Sequence, residues 1–153
     1  MEMNWQQEIL KVIEEAFYGN QGVFLDEGTT PLNELRKLTA TQASTELPGA
    51  GNSVANQVKH LITTIAMHKA QFRGGEYPDM DWGADWDAQP LTDQQWNDLV
   101  DQLDASAKNL KIWIAKPAVE QNQEYVSAAV MAATHLAFHI GQIQHAAGYA
   151  KTA

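Results

Sequence analysis

The sequence predicts an all-α protein, a four-helix bundle, and three observations carry that expectation. Four segments place apolar residues at helical spacing along one face. No segment sustains the apolar–polar alternation of a half-buried strand. Capping residues and breakers bound the four segments at lengths that suit bundle helices.

In the first segment Trp5, Ile9, Val12, Ile13, Ala16 and Phe17 form one stripe on a helix from about Asn4 to Tyr18. Gly19, Asn20 and Gly22 break it. The stretch from Val23 to Gly51 is less regular. Within it Pro31 to Ala43 reads as one short helix opened by proline, and Pro48, Gly49 and Gly51 read as a turn. Asn52 or Ser53 caps the second long helix, whose stripe is Val54, Val58, Leu61, Ile62, Ile65 and Phe72 before Gly74-Gly75. A loop of acids and aromatics follows, with Glu76, Asp79, Asp81, Trp82, Asp85 and Trp86. Thr92 with Gln95 is a capping box for the third, whose stripe of Trp96, Leu99, Leu103, Leu110 and Ile114 is stopped by Pro117. The last helix runs from about Gln123 to Ala150.

The chain of 153 residues reads as a single domain over 1–153, long enough to bury a core unaided. Its 44% hydrophobic and 19% charged content exclude a disordered chain. It has no cysteine, which excludes disulfides, thiolate metal ligands and a cysteine nucleophile. Ten Lys and Arg stand against nineteen Asp and Glu, for a net charge of −9, and only Arg36 and Lys37 are adjacent. A phosphate backbone needs clustered cations, so no nucleic acid is expected as a partner. The opening MEMNWQQE lacks the basic and apolar parts of a signal peptide, and His135 and His139 interrupt the most apolar stretch. A cytoplasmic protein without membrane contact is expected.

The last helix carries the chemistry. At about 100° per residue, His139 lies near 40° from His135 and Gln142 near −20°. Leu136 and Ile143 lie on one flank, Met131 and Phe138 on the other, and Ser127, Thr134, Gly141 and His145 form the solvent stripe. An i, i+4 pair of histidines sets two imidazoles one turn apart, where both reach one ion at about 2.0–2.1 Å. A third ligand must come from another helix, and the second offers His60 and His68. His68 lies nearer that helix's apolar stripe, whereas His60 shares a flank with Gln57, Thr64 and Gln71. Periodicity leaves the choice open.

Three segments carry a resemblance that covers nearly the whole chain. NSVANQVKHL opens a helix with a polar residue and Ser and delivers a histidine seven residues after that serine. HLAFHIGQI presents H-x-x-x-H-x-G-Q-[IL], and PLTDQQWNDLVDQL lies between them as a helix entrance with a tryptophan. In these the chain resembles the DinB-like superfamily of damage-inducible and YfiT-type metalloproteins. The resemblance implies a four-helix bundle with a divalent metal, zinc or nickel first, held by His60, His135 and His139. It leaves His68 as a helix-flank histidine and His145 as a surface one. It further implies a metal-dependent enzyme of the thiol S-transferase or hydrolase type, acting on a small molecule. A non-catalytic metal- or ligand-binding stress protein is the alternative. A low-molecular-weight thiol as substrate and a homodimer are expected on the same ground.

No general base is evident. Gln142 can hydrogen-bond a ligand or remain a buried helix amide. Glu76, Asp79, Asp81 or Asp85 can act as base or hold an imidazole N–H, or simply solvate the loop. Trp82 and Trp86 either wall a pocket or pin the loop to the core. Arg73, the cation a carboxylate-bearing thiol would want, is about 20 Å along the helix from His60.

Overall fold

A computed structural model describes residues 4–19, 22–49, 51–73, 79–87, 89–116 and 123–152. The described residues contain six α-helices and no strand: α1 (Trp5–Tyr18), α2 (Pro31–Arg36), α3 (Ala40–Ser44), α4 (Val54–Phe72), α5 (Asp93–Ile114) and α6 (Gln123–Ala150). A 3₁₀ turn, Ala84–Trp86, lies between α4 and α5. The helices pack together around one apolar core. α4 lies against both α5 and α6, α1 closes the other side against the same two, and the short helices cover one end.

Local signals start the helices where the sequence places them. Asn4 caps α1, and Thr92 and Gln95 form the box that opens α5. Ser53 caps α4, and its partner Asn56 returns an oxygen to the Ser53 N–H, a box the sequence reading did not identify. α1 stops at Gly19, whose φ of 72° is open to glycine and where a Cβ would collide with the Thr29 carbonyl. α4 ends at Phe72; Gly74, Gly75 and Pro117, the expected breakers, lie outside the described residues.

The expected single helix from Pro31 to Ala43 is two helices. Thr39 takes an extended backbone and accepts the Gln42 N–H on its hydroxyl, so a new helix starts after the first has ended at Arg36. The junction is held from α5, where Trp96 Nε1 donates to the Leu38 carbonyl at 3.1 Å and Asp93 accepts the Ala40 N–H.

The stripes of α1, α4 and α5 face inward, with Phe17, Leu61, Leu103 and Ile114 fully buried. α6 differs from its reading. Met131 and Phe138, expected on the flank of the histidine face, widen the solvent stripe instead, and Phe138 is 62% exposed. Its most apolar stretch has mean hydropathy 1.3, enough by length and composition for a membrane span despite the two histidines. In this fold α6 is a core helix touched by α1, α2, α3 and α4.

Candidate metal centre

The middle of α4 and the middle of α6 face each other, and both interrupt an apolar surface with imidazoles. His60, His135 and His139 each offer one ring nitrogen, and the three lie within 4.8 Å of one another. The Nε2 atoms of His135 and His139 are 2.8 Å apart, and the His60 ring centroid is 4.6 Å from that of His139. Two ring nitrogens that close either share one proton or share a cation, because two lone pairs repel. Bonds of about 2.0–2.1 Å place two ligand nitrogens of a tetrahedral site about 3.4 Å apart. To hold one ion the His135–His139 pair needs to open by about 0.6 Å, and the widest separation in the triad needs to close by no more than about 1.4 Å.

Burial sets the protonation states. Desolvation, with His135 and His60 beside it, pushes the His139 imidazole down to about 4, and Gln142 opposes the shift. His135 is lowered by burial first, then by His68 and His60. Near neutral pH these two rings are uncharged and carry the lone pairs a metal requires.

The acidic loop supplies one carboxylate to the site. Asp85 is buried; its Oδ1 accepts from Thr63 Oγ1 at 2.8 Å, and its Oδ2 lies 3.6 Å from His60 Nδ1. That separation is long for a hydrogen bond and short enough for an ion pair. Asn56 donates to the Asp85 and Asp87 carbonyls, tying the 3₁₀ turn to α4, and Asp81 accepts the Gly83 and Ala84 N–H groups that open the turn. Trp86 and Trp82 flank His60, with ring centroids at 5.0 and 5.9 Å, so the tryptophans form a wall of the site. Asp79 is exposed, and Glu76 lies outside the described residues.

His68 is not the helix-flank residue expected. It is fully buried, with its ring edge-on to His135 at 5.7 Å and Nδ1 2.8 Å from Gln71 Oε1. Burial lowers its basicity too. Gln57, Thr64 and His68 form a seam at helical spacing, and all three are buried. His145 is exposed, as expected, and Arg73 lies over the Trp113 ring, away from the triad. Sequence reasoning missed the contacts of Thr63 and Asn56 with the 3₁₀ turn, more than twenty residues away.

The pattern of unmet hydrogen bonds gives a fit test for an ion. Among the described residues, six buried side-chain polar atoms make no hydrogen bond: Gln57 Oε1, His60 Nδ1, Thr64 Oγ1, His68 Nε2, Asp85 Oδ2 and His139 Nδ1. All six belong to α4, the facing part of α6 or the 3₁₀ turn. Buried polar groups are normally paired, and each exception calls for an explanation such as an ion or water. Three convergent imidazoles and a carboxylate behind one of them are a donor set that fits a divalent ion.

Comparison of the chain with protein-family profiles, with curated proteins and with solved structures finds no significant match.

Proposed function

We propose that this chain is a metal-dependent enzyme of the DinB-like four-helix-bundle type, with the divalent ion held by His60, His135 and His139. The observation that carries the reading is the convergence of three imidazole nitrogens within 4.8 Å. The ordered resemblance of NSVANQVKHL and HLAFHIGQI to that superfamily supports it. A nitrogen-only set of imidazoles suits zinc and nickel, and three protein ligands leave room for a small molecule.

An ion bound there supplies Lewis acidity, polarising a carbonyl or easing the loss of a proton from water or a thiol near neutral pH. The chain's own residues prepare that chemistry. Burial keeps His135 and His139 deprotonated. Asp85, anchored by Thr63, lies 3.6 Å from His60 Nδ1, where a small approach would let it hold that ring in place. Trp82 and Trp86 screen His60 from bulk water. Hydrolysis of a small molecule is favoured over transfer to a carboxylate-bearing thiol, because Arg73 is engaged with Trp113 rather than turned to the triad. A metal-binding protein without catalysis is the second reading, favoured because Asp85, the carboxylate that the described residues bring to the triad, lies behind His60 and accepts from Thr63.

Metal analysis of protein purified without a histidine tag tests the centre: about one zinc or nickel per chain is expected, and none on incubation with either ion overturns it. Metal-replete protein is then assayed against ester and amide substrates and against electrophiles with a panel of thiols. Metal-dependent hydrolysis supports the first reading; thiol consumption moves it to transfer. Stoichiometric metal with no turnover supports the non-catalytic reading.

A further inference from the structure

Beside the triad, between the start of α4 and the second half of α6, lies a pocket of about 490 Å³. Its walls include Leu47, Asn52, Gln57, Phe138, Gln142 and His145. The pocket adjoins the histidines through shared helix turns. Gln57 precedes His60 by three residues, and Phe138 and Gln142 bracket His139, with the Phe138 ring centroid 5.3 Å from the His139 ring.

Two independent observations point to a ligand here, and a third to its charge. Gln57 is only 6% exposed and its Oε1 has no hydrogen-bond partner, while its Nε2 reaches Asn52 Oδ1 only at 3.4 Å. A buried amide carbonyl in that state asks for an N–H or O–H donor. Phe138 leaves 62% of its surface in solvent beside Leu47, an apolar platform of the kind a small-molecule site uses. The polar lining consists of the amides of Asn52, Gln57 and Gln142 and the His145 imidazole, with no lysine, arginine or carboxylate. An anion entering it would lose water and gain no counter-charge.

We propose that this pocket binds the substrate of the metal centre, and that the substrate is an uncharged amide with a small apolar substituent. Its N–H donates to Gln57 Oε1, its apolar group lies on Leu47 and Phe138, and its other end points toward His139. The assignment of a substrate rests on the metal-dependent reading above; the binding chemistry of the pocket belongs to the chain alone.

Phenylacetamide and phenylacetate test it, because they share size and ring and differ in amide against carboxylate. Each is titrated into metal-free and zinc-loaded protein while the side-chain amide resonances of Gln57 and Gln142 are followed by NMR. In metal-free protein phenylacetamide is expected to shift both resonances saturably, with an affinity about tenfold above that of phenylacetate. Gln57→Met should remove that preference. Phe138→Ala, at an exposed position that cannot unfold the core, should weaken amide binding several-fold. Equal or tighter binding of phenylacetate to metal-free protein overturns the proposal. So does an absence of saturable shifts, or a preference that survives in a folded Gln57→Met protein. If Gln57→Met does not fold, Phe138→Ala decides: unchanged amide affinity overturns the proposal. Failure to take up zinc with intact amide binding defeats the metal reading and leaves the pocket; normal zinc uptake without amide binding does the reverse.

Discussion

Two buried polar sites lie at different places in the molecule and are treated in opposite ways. On α1, Glu15 is fully buried and its carboxylate accepts the backbone N–H groups of Val23, Phe24 and Leu25 at 2.6, 3.1 and 2.8 Å. Between α4 and α6 the imidazoles of His60, His68 and His139 each keep a buried nitrogen with no hydrogen bond. The first site is complete within the chain: it pins the segment after α1 and needs nothing else. The second is complete only with something added. Burial alone therefore does not mark function; burial with donors and acceptors left over does.

The largest expected effect separates the two sites by stability. Glu15→Ala removes the acceptor of three N–H groups and leaves a gap in the core, at a cost of about 3 kcal/mol in urea unfolding. Zinc affinity should stay as it was. A loss under about 1 kcal/mol, or a change in metal affinity, would erase the distinction.

Next in size is the ligand set. His60→Ala should weaken zinc binding more than about 100-fold, or about 2.7 kcal/mol, with little change in metal-free stability. His68→Ala should leave zinc affinity within a few-fold. The reverse outcome in a competition titration against a chelator would assign His68 as the α4 ligand.

The third prediction uses acid. His139 is pushed down to about 4, and His135 and His68 are lowered by burial as well. Above about pH 6.5 these rings are neutral whether the chain is folded or not. Between about 6.5 and 4 the unfolded chain takes up protons that the folded chain refuses, so stability of metal-free protein falls as pH drops through that window. His139 alone accounts for a loss of about 2.6 kcal/mol by pH 4.5, and the triple variant with all three histidines replaced by glutamine should lack it. Stability that rises on acidification across this window would contradict the buried neutral rings.

The smallest effect belongs to the carboxylate behind His60. Asp85→Asn keeps the Thr63 contact and removes the negative charge 3.6 Å from His60 Nδ1, lowering zinc affinity by about tenfold. An unchanged affinity would reduce Asp85 to a loop anchor, making it more like Glu15 than like the triad.

Much of the architecture was legible because helices announce themselves locally. The period of Ile13, Phe17, Leu61, Leu103 and Ile114 gave their buried faces, and Thr92 with Gln95 gave the start of α5. The i, i+4 spacing of His135 and His139 placed two rings together before any fold was known, since helix geometry alone does that. The short helices were less legible, because the break at Thr39 depends on its hydroxyl capping Gln42 rather than on any breaker residue. Phe138 was misplaced for a different reason: hydrophobicity indicates an inward face only where a neighbouring element arrives to cover it.

By itself, then, the sequence determined the four long helices, the inward stripes of α1, α4 and α5 and the paired histidines of α6, all consequences of backbone repeat and side-chain polarity within one segment. It did not determine that Glu15 would meet Val23, Phe24 and Leu25, that the seam of Gln57, Thr64 and His68 would be buried, or that Asp85 rather than its acidic neighbours would face His60. Each of those depends on where a second segment lands. The polarity of a residue shows what it needs, and only packing decides which group, if any, arrives to meet that need.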